Sequence, residues 1–448
     1  MPARRKLSAR IGIAAVAAAA MAVTATACSS GSSSSSSSSS AGNVTITYLT
    51  HWGPAQVKQL EAVATTFHQA NPKITVKFQA VPFANLLSTV QTQGSSPNGP
   101  TISSVYDLWL PALIQNGTAA KAPGDVASSV GKDWPHNLGA DVSQNGSTYG
   151  IPNEVDLYAL NYNKALFAQA GIPTPPKTWD ELVTDAAKLT DKSKGQQGFG
   201  VITNWAAGVD HPFLSLAASN GGSFLNADRT KSELTSPKVE AVADLYTQLI
   251  KAGSTVPSMS AANANTTGPY MDNFANGKTA MIIMANWWQS ALKQTMGAKF
   301  SNVATAPVPM GPSGTKSSSI SYSWLTMVNA HASSQKQQAA WQFLSYLNGP
   351  TSGKSGSSAM GDILLGQGIL PSRTSDLSAH KSDLSDPFIK TYVDGIADAT
   401  PFPTAVGGAQ ASDALQTSVE NLIFGRSSAT AAMSAADSGV TSALQAGK

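Results

Sequence analysis

The stretch VTITYLTHWGPAQVKQLEAVATTFHQANPKITVKFQA, residues 44–80, decides the fold class. Val44, Ile46 and Tyr48 alternate with Thr45 and Thr47, the period of a half-buried strand. His51-Trp52-Gly53-Pro54 breaks that alternation. From Pro54 the apolar residues Val57, Leu60, Val63, Ala64 and Phe67 recur at helical spacing, until Asn71-Pro72 stops the helix. Ile74, Val76 and Phe78 then alternate again. Strand, helix and strand within about 35 residues make a βαβ unit, which predicts a parallel sheet covered by helices.

The same grammar continues downstream. Thr178-Trp179-Asp180-Glu181 is a capping box that opens a helix carrying Leu182, Val183, Ala186 and Leu189. Ser236-Pro237 starts another, with Val242, Leu245, Tyr246 and Leu249 inside and Gly253 just past its end. Met281–Met284 and Tyr322–Val328 read as strands, and Ser334–Leu347 as a helix packing Ala340, Trp341, Leu344 and Leu347. The final segment is Ala-rich and helical in period. The class is α/β.

Ahead of the quoted stretch, Arg4, Arg5, Lys6 and Arg10 precede an uncharged run, Ile11–Ala27, the pattern of a secretory signal. It ends in Ala25-Thr26-Ala27-Cys28, which resembles a bacterial lipobox with Ala25 where leucine is usual. Cys28 is the one cysteine of the chain, so no intrachain disulfide can form, and lipidation is the expected fate of its thiol. The serine run Ser32–Ser40 buries nothing and reads as a flexible tether. We therefore assign residues 1–28 to a lipoprotein signal peptide and 29–43 to a Ser-rich tether. The expected location is the extracellular face of the cell membrane.

Four of the 29 basic residues lie in that leader, which leaves 25 basic against 26 acidic residues in the mature chain. A near-neutral chain without a basic stripe is no nucleic-acid binder. Catalytic constellations are also missing. The six histidines are scattered without an HExxH pair, and no GxSxG elbow occurs. Gly349–Ser355 imitates a P-loop with one residue too few between its glycines, and it follows a helix rather than a strand. Paired carboxylates need only be brought together by folding, and Asp107, Glu154, Asp156 and Asp210 are the candidates. No metal site and no cofactor are expected.

Four blocks carry a family likeness. Tyr149-Gly150-Ile151-Pro152 is followed by Ala159–Lys164, Leu166-Phe167, Ala170-Gly171-Ile172 and Pro175-Pro176-Lys177-Thr178-Trp179-Asp180-Glu181-Leu182. Then come Phe274–Met281, Pro307–Pro312 with Ala339–Leu344, and Gly368–Arg373. In this order the sequence resembles the extracellular solute-binding proteins of carbohydrate-importing ABC transporters, the maltose-binding-protein-like group. It departs at Gly99–Asp107, where the family's usual early acid is missing.

The resemblance implies a two-lobed, periplasmic-binding-protein-like (type II) fold with a hinge and an interlobe ligand cleft. Crossings are expected near Val155–Leu157 and Val303–Ala306. The N-terminal lobe would hold residues 44–154 and 307–348, the C-terminal lobe 155–306 and 349–448. It further implies a monomer that binds a sugar without chemistry and delivers it to ABC permease subunits. A secreted glycoside hydrolase, a surface adhesin or scaffold, and a receptor for a non-sugar solute such as a polyamine, an organophosphate or a peptide are the alternatives; scarce acidic clusters argue mildly against a polyamine.

A sugar offers an apolar C–H face and a rim of hydroxyls, so its site wants flat rings and polar side chains. Trp52 follows the first strand, Trp205 sits in a loop, and Trp287 and Trp288 follow Met281–Met284. Tyr322 and Trp324 lie on a strand of the third block. The candidate ligand-binding residues are these six with Asp107, Asp156 and Arg373. Asp156 resembles an acidic sugar contact of the family near its first crossing. Trp179 and Trp341 read as core, and Trp134 is left open.

Overall fold

The computed structural model describes residues 42–263 and 267–447; the signal, Cys28 and nearly all of the tether lie outside them. Eight strands carry the architecture. They are β1 (Val44–Thr50), β2 (Ile74–Ala80), β3 (Ile102–Tyr106), β4 (Gly150–Asn163), β5 (Gln197–Gly200), β6 (Thr279–Ala285), β7 (Val303–Ala306) and β8 (Ile320–Val328). Their order is β2-β1-β3-β8-β4-β6-β5, with β7 also paired to β4.

The quoted βαβ unit folds as its periodicity predicts. The helix spans Pro54–Ala70 and buries Leu60, Ala64 and Phe67, and β1 and β2 pair in parallel from Val44–Ile74 to Thr50–Ala80. Tyr48 continues the parallel pairing to Ile102 of β3. The wider expectation of a parallel sheet needs correcting. β8 runs antiparallel to β3, with Leu325 opposite Val105, and antiparallel to β4, with Ser321 opposite Leu157. The reason is connectivity: β8 comes back from the far part of the chain rather than through a crossover helix beside β3.

β4 organises the molecule. Its first part, through Leu157, pairs with β8. From Tyr158 onward it pairs with β6 on one side, and from Leu160 with β7 on the other. One fourteen-residue strand thus belongs to two sheets. Pro152, which has no N–H to give, sits where the β4–β8 register shifts.

Local signals hold elsewhere. Thr178 Oγ accepts from Glu181 N (3.3 Å), while Glu181 Oε2 accepts from Lys177 N (2.6 Å), closing the start of the helix Trp179–Lys188. Pro237 opens the helix Pro237–Lys251, and Gly253 takes a left-handed φ of 73° beyond it. The Ala-rich terminus forms helices Gly408–Ile423 and Ala429–Ala446, which pack on each other. A Cβ on Gly439 would come within 2.8 Å of Ala414 Cβ, so small residues are what let these helices approach. Trp341 and Trp179 are buried in the core as read. Trp134 is structural too: its Nε1 donates to Pro152 O (2.9 Å) and Ser372 Oγ (3.0 Å). Among the described residues no helix is long and apolar enough to cross a membrane.

Candidate functional site

A cavity of about 500 Å³ opens where β4 passes between the two sheets. One wall is made by the carboxyl ends of β1 and β3 and the turn after β2, where open α/β sheets place ligands. His51 and Trp52 follow β1, Phe83 follows β2, and Tyr106 ends β3. Trp324 of β8 packs among them, its ring 4.1 Å from His51 and 5.9 Å from Tyr106. The facing wall holds Trp205, which caps the helix Ala206–Ser219, and Trp287, which precedes the helix Trp288–Met296. These two indoles meet edge to face at 5.8 Å and 67°. Trp52, Trp205 and Trp287 are half-buried, leaving ring surface free for a ligand.

Between the walls β4 presents Glu154 and Asp156. Two residues apart on a strand, they project from the same face. Asp156 Oδ1 accepts from Asn286 Nδ2 (2.8 Å), and Asn286 Oδ1 accepts from Leu157 N (2.9 Å). Trp287 Nε1 donates to the Tyr322 hydroxyl (2.8 Å), which frees the tyrosine proton for Asp156. Glu154 is 4 % exposed, and its Oε2 has no partner among the described residues.

Burial raises both carboxyls. Asp156 is pushed up to about 7 against the pull of hydrogen bonds from Asn286 and Tyr322. Glu154 goes well above the usual range through burial and then the nearby Asp156 charge. Asp107, buried and near Asp141, and buried Asp210 are raised as well. Burial lowers His51 to about 4 and His211 to about 3.

These shifts predict a pH dependence. A raised carboxyl stabilises the fold fully below its unfolded value, and that stability is lost as pH rises towards the folded one. A lowered histidine does the reverse: its contribution is full above the unfolded value and lost as pH falls towards the folded one. Asp141, Asp185, Asp376 and Asp413 are raised by burial too, so among the described residues the raised acids outnumber the two lowered histidines. The thermal midpoint of the unliganded protein is therefore expected to rise between about pH 7.5 and about pH 5.5. A midpoint that drops over this range would show that the acids are ionised and stabilised in the folded state.

Six of the sequence candidates line the cavity: Trp52, Asp156, Trp205, Trp287, Tyr322 and Trp324. Three do not. Asp107 turns into the protein, where its Oδ2 accepts from Ser323 N (2.6 Å) and Oγ (3.2 Å) and fastens the turn after β3 to β8. Trp288 is wholly buried, stacked on Tyr270 (5.9 Å, 20°) and packed on Phe274 (5.3 Å). Arg373 pairs with Asp133 at 3.3 Å and lies over the Trp134 ring. Asp210, a hydrolase candidate, is buried away from the cavity and accepts a short hydrogen bond from Ser412. Sequence reading missed His51, Phe83 and Tyr106. Their signal was position, since each stands at or just beyond a strand's carboxyl end.

A mixed α/β fold, with a ring-lined cavity walled by two sheets and floored by the strand they share, defines a binding protein. Comparison with known proteins agrees. The profile of the bacterial extracellular solute-binding proteins matches residues 62–375, and the chain belongs to that family. The family comprises binding proteins of ABC transporters, not enzymes. A binding protein of Brucella abortus is 30 % identical over 310 residues, 68 % of this chain and 72 % of that one. The diacetylchitobiose-binding protein DasA of Streptomyces coelicolor is 27 % identical over 278 residues, 62 % of this chain and 63 % of that one. Among solved structures, the GacH receptor of Streptomyces glaucescens superposes with a TM-score of 0.77 at 22 % identity, covering 90 % of this chain and 99 % of that one. Maltose-bound MalE3 of T. maritima gives 0.74 at 21 % identity, covering 89 % and 100 %. The fold is thus the two-lobed periplasmic-binding-protein fold.

Proposed function

We propose that the protein is a lipid-anchored receptor that encloses a sugar between its lobes and delivers it to an ABC permease. The observation that carries this reading is the cavity itself. Rings on both walls suit the C–H faces of a pyranose, and Glu154 and Asp156 between them suit its hydroxyls. The ligands of the similar proteins, diacetylchitobiose for DasA, acarbose for GacH and maltose for MalE3, support a mono- or oligosaccharide. Asp107, Trp288 and Arg373 are not part of this proposed site, for the reasons given by their contacts.

We draw the outward crossing between Leu157 and Tyr158, where β4 changes sheets. The sequence groups residues 307–316 with the N-terminal lobe. Their bonds favour the other side: Trp179 N donates to Met310 O (3.0 Å), and Ser313 N donates to Asn220 Oδ1 (2.8 Å). The return crossing is accordingly drawn at 317–319, where Ser319 Oγ accepts from Tyr158 N (2.9 Å). Closure about these crossings follows the hinge mode of such receptors. The closed monomer would dock on its permease while lipid on Cys28 and the serine tether hold it at the membrane.

Thermal unfolding in the presence of mono- and oligosaccharides, amino acids and polyamines tests the reading. A sugar at 100 times its Kd is expected to add about 2.7 kcal/mol and to be recovered unaltered. Stabilisation by another solute class, with none by sugars, would sink the carbohydrate assignment. A lipid mass on Cys28 in the membrane fraction checks the anchor.

A further inference from the structure

The charge of the cavity is one-sided. Of its described lining residues, the tyrosines Tyr106 and Tyr322 apart, only His51, Glu154 and Asp156 ionise, and no lysine or arginine is among them. None of the ion pairs among the described residues includes Glu154 or Asp156. Burial keeps His51 neutral at physiological pH. Asp156 has its hydrogen-bond donors in Asn286 and Tyr322. Glu154 differs: it is nine-tenths buried, lines the cavity, and leaves Oε2 without a partner among the described residues.

We propose that the sugar this receptor takes carries a free, protonated amino group, and that Glu154 is the residue that receives it. The inference rests on the sugar-receptor reading and names the ligand class of that same site. One carboxylate suffices to orient a neutral sugar by accepting from its hydroxyls. A second one on the same face of β4, with no lysine or arginine in the lining, is held towards its protonated form by burial and by the Asp156 charge, and both carboxyls ionise in a closed, dry site only when the ligand itself brings a positive charge. A neutral sugar brings none. An ammonium does, and it can bond Oε2 directly in a charge-assisted hydrogen bond. The half-buried indoles of Trp52, Trp205 and Trp287 add ring faces that attract a cation more than a hydroxyl.

The test is calorimetric titration of the purified protein at neutral pH with matched pairs: glucosamine against glucose, and the free-amine glucosamine dimer and trimer against cellobiose and cellotriose. N,N′-diacetylchitobiose serves as the uncharged amide, and spermidine as the amine without a sugar. In at least one pair the amine is expected to bind about tenfold or more tighter than its hydroxyl counterpart. Glu154→Gln, which keeps shape and polarity, should bring that ratio close to one, whereas Asp156→Asn should weaken both members together. Equal or tighter binding of the neutral members or of the acetylated dimer by the native protein overturns the inference and leaves the sugar receptor standing. Binding of spermidine with no sugar of either kind overturns both readings. The native protein's amine-to-hydroxyl ratio decides the matter even if the Glu154 variant fails to fold.

Discussion

Replacing Trp288 by alanine is expected to destabilise the protein by about 3–5 kcal/mol while leaving ligand affinity nearly unchanged. Trp288 is fully enclosed and sandwiched by Tyr270 and Phe274, so truncation opens a large void between the helices Pro269–Ala275 and Trp288–Met296. Its Nε1 has no partner among the described residues, so the indole serves there through volume and ring contact alone. Trp288→Phe should therefore retain most of the stability, because the ring stack survives and an unpaired N–H is removed. Chemical denaturation of the three proteins, beside their ligand titrations, gives the answer. Lost affinity at unchanged stability would make Trp288 a ligand contact after all.

One residue earlier the expectation reverses. Trp287→Ala should weaken ligand binding by at least about 2 kcal/mol, roughly thirtyfold, with a much smaller effect on folding. Trp287 is half-buried on the cavity wall, braces Trp205 edge to face, and donates to Tyr322 Oη. Its removal strips a stacking platform and also releases Tyr322, which shares a proton with Asp156. Trp287→Phe separates the two effects: it keeps a ring face but not the N–H, so an intermediate loss is expected. If Trp287→Ala binds as the native protein does, ligand does not sit between these walls.

The contrast between Trp287 and Trp288 marks how far sequence reading reached. Both were legible as aromatics just after the strand candidate Met281–Met284. Which one faces solvent was not, because the chain enters a helix there and consecutive side chains diverge by about 100°. Asp107 failed for a related reason. It stands beside Tyr106 at the end of β3, and the turn sends the tyrosine to the cavity and the acid inward to Ser323. Arg373 lay on a recognisable block, yet its partner Asp133 is far away in sequence.

Local structure was the easier part. The βαβ unit, the Thr178 capping box and the helix begun by Pro237 all rest on interactions within a few residues. The antiparallel insertion of β8 between β3 and β4 rests on pairing between remote segments, which periodicity does not encode. The Glu154–Asp156 pair lies between. Two acids separated by one residue are plain to see, but that no lysine or arginine lines the cavity beside them emerges only in three dimensions.

The placement of β8 has a consequence for how the molecule is made. Tyr106 of β3 pairs opposite Trp324 of β8, a partner that follows it by roughly two hundred residues, and contacts of such separation form slowly. Until synthesis has passed Val328, β3 has a bare edge and the first part of β4 has no neighbour on that side. The polypeptide cannot lock its central sheet while its last third is still unmade. Its final fold stays unlocked until then, a state in which a chain can still be passed across a membrane before it folds on the far side.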